Sequence, residues 1–281
     1  MQAAPSPERP GFRAGFSSIF AGAAFLVRTP KSWPFAWVPA LVLVVLALGL
    51  GWAAISGVNA LVDGWLGAAT SWYGKAAASA LTWLGSVLGA ILGLLVALAL
   101  TPPLSSPALE HIVGLAEREL GAPDRAPLGF LVEIWCGARA QAFAALFAVP
   151  ILALLWVAEL LFAPAVFVTV PLKLLVSALS LSWNLFDYPL TLRGVRMRDR
   201  LGMVLAYKAA ALGFGLAFAI LFWIPCFGVL LLPVGVAAAT RLVWRILDSD
   251  PNLLPGVPRR ALSSDRLLSP ADAAAGSSDR S

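Results

Sequence analysis

WVPALVLVVLALGLGWAAI, Trp37–Ile55, sits within a longer stretch, residues 32–62, that contains no charged residue. About 20 consecutive apolar residues make a helix long enough to cross the hydrocarbon of a bilayer. Trp33, Trp37 and Trp52 fall near the ends of this segment, where interfacial tryptophans belong. A second charge-free stretch, residues 76–109, contains Ala77–Leu100, the second predicted span. Its Gly85, Gly89 and Gly93, four residues apart, share one helix face. Small residues at that spacing let a neighbouring helix approach closely, and packing inside one fold is the expected use rather than a seam between copies.

Two further apolar regions are broken. Residues 140–186 are interrupted by Glu159, Pro164, Pro171 and Lys173, and residues 209–240 by Pro225 and Pro233. Each reads as two helices joined by a tight turn, at Ala163-Pro164 and at Pro225-Cys226-Phe227-Gly228. Backbone freed by such breaks must be buried in protein or line a wet cavity. The expectation is therefore a pair of helical hairpins that enter the bilayer without having to cross it.

Whole-chain numbers agree. Of 281 residues, 60% are hydrophobic and 12% charged, and the mean hydropathy is +0.85. Soluble domains carry about twice that charged fraction. The net charge is +5. With two spans and two hairpins, 18 of the 20 Lys and Arg fall in four segments on one side, leaving only Lys75 and Lys173. The positive-inside rule makes that side cytoplasmic and accounts for the basic balance without nucleic acid. A secretory signal peptide is not expected, because the first apolar run starts some 30 residues in and exceeds the usual length.

Outside the spans, Phe12, Phe16, Ile19, Phe20, Ala23 and Val27 make one helical stripe, suited to a helix lying in the membrane interface. Pro107–Leu120 is a second amphipathic helix, with Leu109, Ile112, Val113, Ala116 and Leu120 on one face. The tail after Asp248 is rich in Ser, Asp, Arg and Pro and reads as disordered. The organisation is an interfacial helix in 1–32, a helical membrane domain in 33–247 and a tail in 248–281. The fold class is an all-α membrane protein, with two long transmembrane helices, two proline-broken hairpins and interfacial amphipathic helices.

Asn184-Leu185-Phe186-Asp187-Tyr188-Pro189, followed by a short basic connection, resembles the Asp-Tyr-Pro signature of the CysZ-type sulfate permeases and the related etoposide-induced proteins. Ile224-Pro225, with Leu232-Pro233-Val234-Gly235 and Ala239-Thr240, resembles that family's C-terminal hairpin. Thr101-Pro102-Pro103-Leu104-Ser105-Ser106, leading to Glu110, resembles its proline loop. Order and spacing agree over about residues 11–247. The resemblance implies two spanning helices, two partly inserted hairpins, assembly as a homo-oligomer and, in the bacterial branch, sulfate uptake across the inner membrane. The first hairpin's tip departs from the pattern. It reads Ala163-Pro164-Ala165-Val166-Phe167 where bacterial permeases often carry Gly and Gln.

Candidate site residues follow. Ser106 as N-cap and Pro107 as first helical residue present amides and a helix dipole to an oxyanion, with Ser105 beside them and Arg28 or Lys31 supplying charge. An ordinary capped helix with orienting basic residues fits the same residues. Asp187 is a charge near membrane depth. It caps the end of the first hairpin, pairs with Arg193 or Arg196, or serves a pathway, with Asn184 one turn earlier. Glu159 and Lys173 flank the first turn, where they snorkel to the interface or pair with each other, and Glu159 is also a candidate proton relay. Glu110, Glu117, Glu119, Asp124 and Glu133 read as a solvated helix face and its loop rather than paired catalytic carboxylates. Two separated cysteines, Cys136 and Cys226, and the single His111 leave no usual zinc or iron–sulfur ligand set. No cofactor and no enzymatic activity are expected. The expected partners are the lipid bilayer, a small inorganic anion and further copies of the chain. A transporter or channel is the first reading, and a non-transporting membrane scaffold the alternative.

Overall fold

The computed structural model describes residues 9–66, 71–124, 129–222, 227–250, 252–254 and 257. Among them there are helices and turns and no strand. The helices are α1 (Phe12–Arg28), α2 (Trp33–Leu66), α3 (Trp72–Leu104), α4 (Ser106–Glu119), α5 (Phe130–Leu161), α6 (Val166–Leu192), α7 (Met197–Ala206), α8 (Lys208–Phe222) and α9 (Phe227–Ser249). Four of the described helical segments are long and apolar enough to cross a membrane: α2, α3, α5 and α6. The chain is an all-α membrane protein.

α2 and α3 form the first antiparallel pair, and the glycine face works inside it. A Cβ on Gly93 would stand 3.2 Å from the backbone carbon of Leu50, and one on Gly89 3.1 Å from the Ala54 methyl. The outward faces of the pair carry bare apolar side chains such as Leu48, Trp52, Leu92 and Trp83. That much exposed hydrocarbon marks a surface solvated by lipid. α5 and α6 form the second pair, joined by the single turn Ala163–Ala165 at the expected Ala163-Pro164 position. α5 starts at Phe130, ten residues before the apolar run, because the segment carrying Glu133 and Arg139 is also helical. Its 32 residues measure about 48 Å at 1.5 Å per residue, so this hairpin has the length of a span.

The second broken region is different in kind. α7 meets α8 at a 90° bend, and α8 has only 15 residues, about 22 Å. The buried core lies here. Phe214, Phe218, Val236, Leu242 and Ile246 pack with Phe25 of α1, with Ile112 and Val113 of α4 and with Phe186 of α6. The two expected hairpins therefore differ in their surroundings. α5–α6 shows its apolar surface outward, whereas α8–α9 is wrapped by α1, α4 and α6. Glycine makes the wrapping possible. A Cβ on Gly215 would overlap the carbonyl oxygen of Ala178, and one on Gly15 that of Ala210. The expected turn of this hairpin lies partly outside the described residues, at 223–226.

The apolar stripe of α1 is not its protein-facing side. The face it buries is Gly15, Ser18, Ile19, Gly22 and Phe25, turned to α8 and α9. Phe12, Phe16, Phe20 and Val27 of the apolar stripe point outward instead. Small residues win the protein-facing side because two backbones must approach there. α9 continues to Ser249, and Leu254 beyond it is buried in the core, so the described start of the tail packs on the body. Most of the remaining tail lies outside the described residues.

Gly215→Ala tests the close approach of α6 and α8. Alanine gains about 1 kcal/mol of helix propensity. The clash outweighs it, and a net loss of about 1–3 kcal/mol is expected. Gly57→Ala, where a Cβ meets open space, is expected to be neutral or mildly stabilising. Thermal unfolding of the two purified variants in detergent measures the contrast.

Candidate functional site

A cavity of about 330 Å³ lies where the end of α3, the start of α4, the first half of α5, the last half of α6 and the start of α9 come together. Its wall is mostly apolar, with Leu98, Ala140, Leu181, Leu185, Phe218 and Leu232. The polar groups on it are Thr101, Ser106, Glu110, Cys136, Gln141, Asn184, Asp187, Tyr188 and Thr191.

Prolines shape this wall. Pro102 and Pro103 do not form a loop; both lie in the last turn of α3, which leads through Ser105 straight into α4. A proline has no N–H, so the carbonyls of Leu98 and Ala99 lose their helical donors. The carbonyl of Pro102 is served twice, by Tyr188 Oη at 3.3 Å and by Ser106 Oγ at 3.3 Å. Asp187-Tyr188-Pro189 likewise lies inside α6 rather than at its end, because α6 runs on to Leu192. Pro189 there leaves the carbonyl of Leu185 without a helical donor.

Most hydroxyls on the wall are already committed. Thr101 donates to Ala97 O at 2.7 Å, and Thr191 to Asp187 Oδ2 at 2.8 Å. Asp187 is buried and paired with Arg200, not with Arg193 or Arg196. Arg200 reaches from α7 beneath the wall. Its Nε donates to Val195 O at 2.7 Å and its Nη1 to Asp187 and to Thr191 Oγ1. Arg193 instead forms a buried pair with Glu117 at 3.0 Å, donates to Pro123 O at 2.9 Å and stacks on Trp244. The amides of Gln141 and Asn184 stand on the wall without a hydrogen bond to any described residue.

The sequence candidates thus separate into groups. Ser106, Asn184 and Asp187 come together at the cavity. Ser105 is fully buried beside it, with its Oγ unpartnered. No side chain caps α4, since Ser106 turns back to Pro102, and the amide of Leu109 is spent on Ser105 O. The start of α4 therefore offers an anion less than expected. Arg28 and Lys31 are exposed, and among the described residues no bond joins them to Ser105 or Ser106. Glu159 sits at the other end of α5, paired with Lys173 and accepting from Thr169, while Lys173 Nζ lies 3.7 Å from the centre of the Trp156 ring. The pairing across the turn thus prevails over snorkelling. The acidic set is corrected as well, because Glu110 and Glu117 are buried rather than solvated.

Gln141 and Arg200 escaped the sequence reading. Gln141 carries a visible signal, a lone amide opening an apolar run. Arg200 carries none, being one arginine among five basic residues of a connection. No group of three or more metal-binding side chains occurs among the described residues.

Arg200→Met leaves the Asp187 carboxylate buried without its cation and is expected to cost about 3–5 kcal/mol. Adding Asp187→Leu to Arg200→Met is expected to recover most of that loss. A double-mutant cycle by thermal or denaturant unfolding in detergent reads both.

Residues 18–233 match the family described as Sulfate transporter CysZ/Etoposide-induced protein 2.4, and the chain belongs to that family. None of the curated proteins compared with the chain matches it.

Proposed function

We propose that this family member is an inner-membrane transporter or channel for a small inorganic anion, with sulfate as the first substrate to test. One observation carries the reading. The free amides of Gln141 and Asn184 face a cavity formed where proline interrupts the hydrogen bonding of two long helices. Irregular backbone and uncommitted donors at membrane depth are what a solute path needs. Amide N–H groups bind an oxyanion without placing a fixed charge in the apolar wall. Hydrogen bonds to a charged group are worth about 1.5–3 kcal/mol each.

The basic segments support an orientation with both termini cytoplasmic. Glu117 with Arg193 and Trp244, and Glu119 with Arg241 near Phe25, tie α1, α4, α6 and α9 together at one end. Lys75 and Lys173 lie apart from that end. Arg28 and Lys31 lie on the surface in this scheme and do not contact the solute in the cavity. Glu159, locked to Lys173 and Thr169, is structural. The chain acts without a cofactor and without enzymatic chemistry, as a homo-oligomer in the bilayer. The apolar bulk of the cavity wall favours the second reading, a membrane scaffold that moves no solute.

Uptake of labelled sulfate into proteoliposomes, with phosphate and chloride as competitors, separates the two. Asn184→Leu and Gln141→Leu are each expected to lower uptake at least about tenfold, the loss of one hydrogen bond to charge, with unchanged thermal stability. Uptake no greater than that of empty vesicles for all three anions would establish the scaffold reading instead.

A further inference from the structure

α1 has three faces. Gly15, Ser18, Ile19, Gly22 and Phe25 are buried against α8 and α9. At 100° per residue, the remaining surface divides into two sectors. Phe12, Phe16, Phe20 and Val27 fall within one 80° sector, and all four are exposed, Phe20 and Val27 by 68% and 72%. Arg13, Ser17, Ala24 and Arg28 occupy the adjoining sector and are exposed too. A helix facing only protein and water has no use for the phenylalanine sector. A helix lying on hydrocarbon, with protein on one flank and water on the other, needs all three.

Charge identifies what lies there. From residue 9 to residue 62 the chain contains Arg9, Arg13, Arg28 and Lys31 and no acidic residue. All four basic residues are exposed. The segment runs directly into α2, a candidate span, whose exposed Trp33 and Trp37 stand at its first turns. The Trp33 indole donates to Leu26 O at 2.9 Å, fixing the angle between α1 and α2.

We propose that the outer surface of α1 docks on anionic phospholipid, with Phe12, Phe16, Phe20 and Val27 in the acyl region and Arg13, Arg28 and Lys31 on headgroup phosphates. The bilayer surface then runs along the 17-residue length of α1, about 26 Å. α8 and α9, which α1 covers, lie at interfacial depth rather than across the membrane. Each basic residue near an anionic leaflet strengthens association roughly fivefold.

The full-length chain in nanodiscs tests this. Spin-labelled phosphatidylglycerol is expected to associate several-fold more strongly than spin-labelled phosphatidylcholine. Arg13→Gln/Arg28→Gln/Lys31→Gln is expected to bring the ratio close to one, and Lys75→Gln to leave it unchanged. Sulfate should reduce the ratio no more than chloride at equal ionic strength; a sulfate-specific loss would mean that the basic residues hold free anion instead. In a Cys136→Ser/Cys226→Ser background, a fluorophore on Phe20→Cys should be quenched by brominated acyl chains, and one on Ser17→Cys by aqueous iodide. Equal association of the two lipids in the wild type would overturn the proposal. So would iodide quenching at position 20, or a disulfide between copies through Phe20→Cys, which would make a second copy the occupant.

Discussion

A guanidinium buried beneath a carboxylate organises the polar centre of this apolar protein. Removing a charged group from water costs several kcal/mol unless its donors are taken up. Arg200 meets that condition with Asp187, Thr191 and Val195 O, all on α6 or just after it. The chain therefore turns back under α6 as α7, and α8 leaves from there at a right angle. α8 can then run against α6 only where Gly215 meets Ala178, and α1 closes over it where glycine faces backbone again. Glu117 does the same for the other elements, holding Arg193 and Trp244 so that α4, α6 and α9 converge.

The molecule consequently has two regions with opposite surfaces. α2, α3 and α5 turn leucine, valine and tryptophan outward, and inside the bilayer those side chains need no protein partner. The α1–α4–α8–α9 region buries the same residue types in a packed core. The cavity lies where the regions join. There the prolines of α3 and α6 remove helical donors, and the hydrogen bonds around Pro102 and Asp187 do not engage Gln141 and Asn184. Membership in the CysZ/etoposide-induced family fits a body of this kind.

Much of this was legible in residue order. Periodicity placed the amphipathic α4 to within a residue of its start, because Leu109, Ile112, Val113 and Ala116 repeat on one face and Pro107 suits a first turn. The Gly85-Gly89-Gly93 spacing gave the α2–α3 packing, and Ala163-Pro164 gave the tip of the first hairpin. Less legible was which side of α1 meets protein. The phenylalanine stripe said nothing of that side, and the close approach of α8 and α9 selected glycine and serine for it. The prolines of α3 and α6 were misplaced for a related reason. The freed carbonyls belong to Leu98 and Ala99, and the contact that holds this end of α3 against α6, Tyr188 Oη to Pro102 O, joins residues distant in sequence.

By itself the sequence determined the solvent of this protein, because that depends on uncharged length, which is a local property. It also kept 18 of the 20 Lys and Arg in the segments outside the long apolar regions, since charge is excluded from hydrocarbon wherever the chain later folds. Only the tertiary structure decided which arginine neutralises Asp187, that Glu110 and Glu117 are buried, and that the second hairpin is covered rather than bare. Those outcomes depend on distances between residues far apart in the chain, and burial of a charge is settled only when its partner arrives.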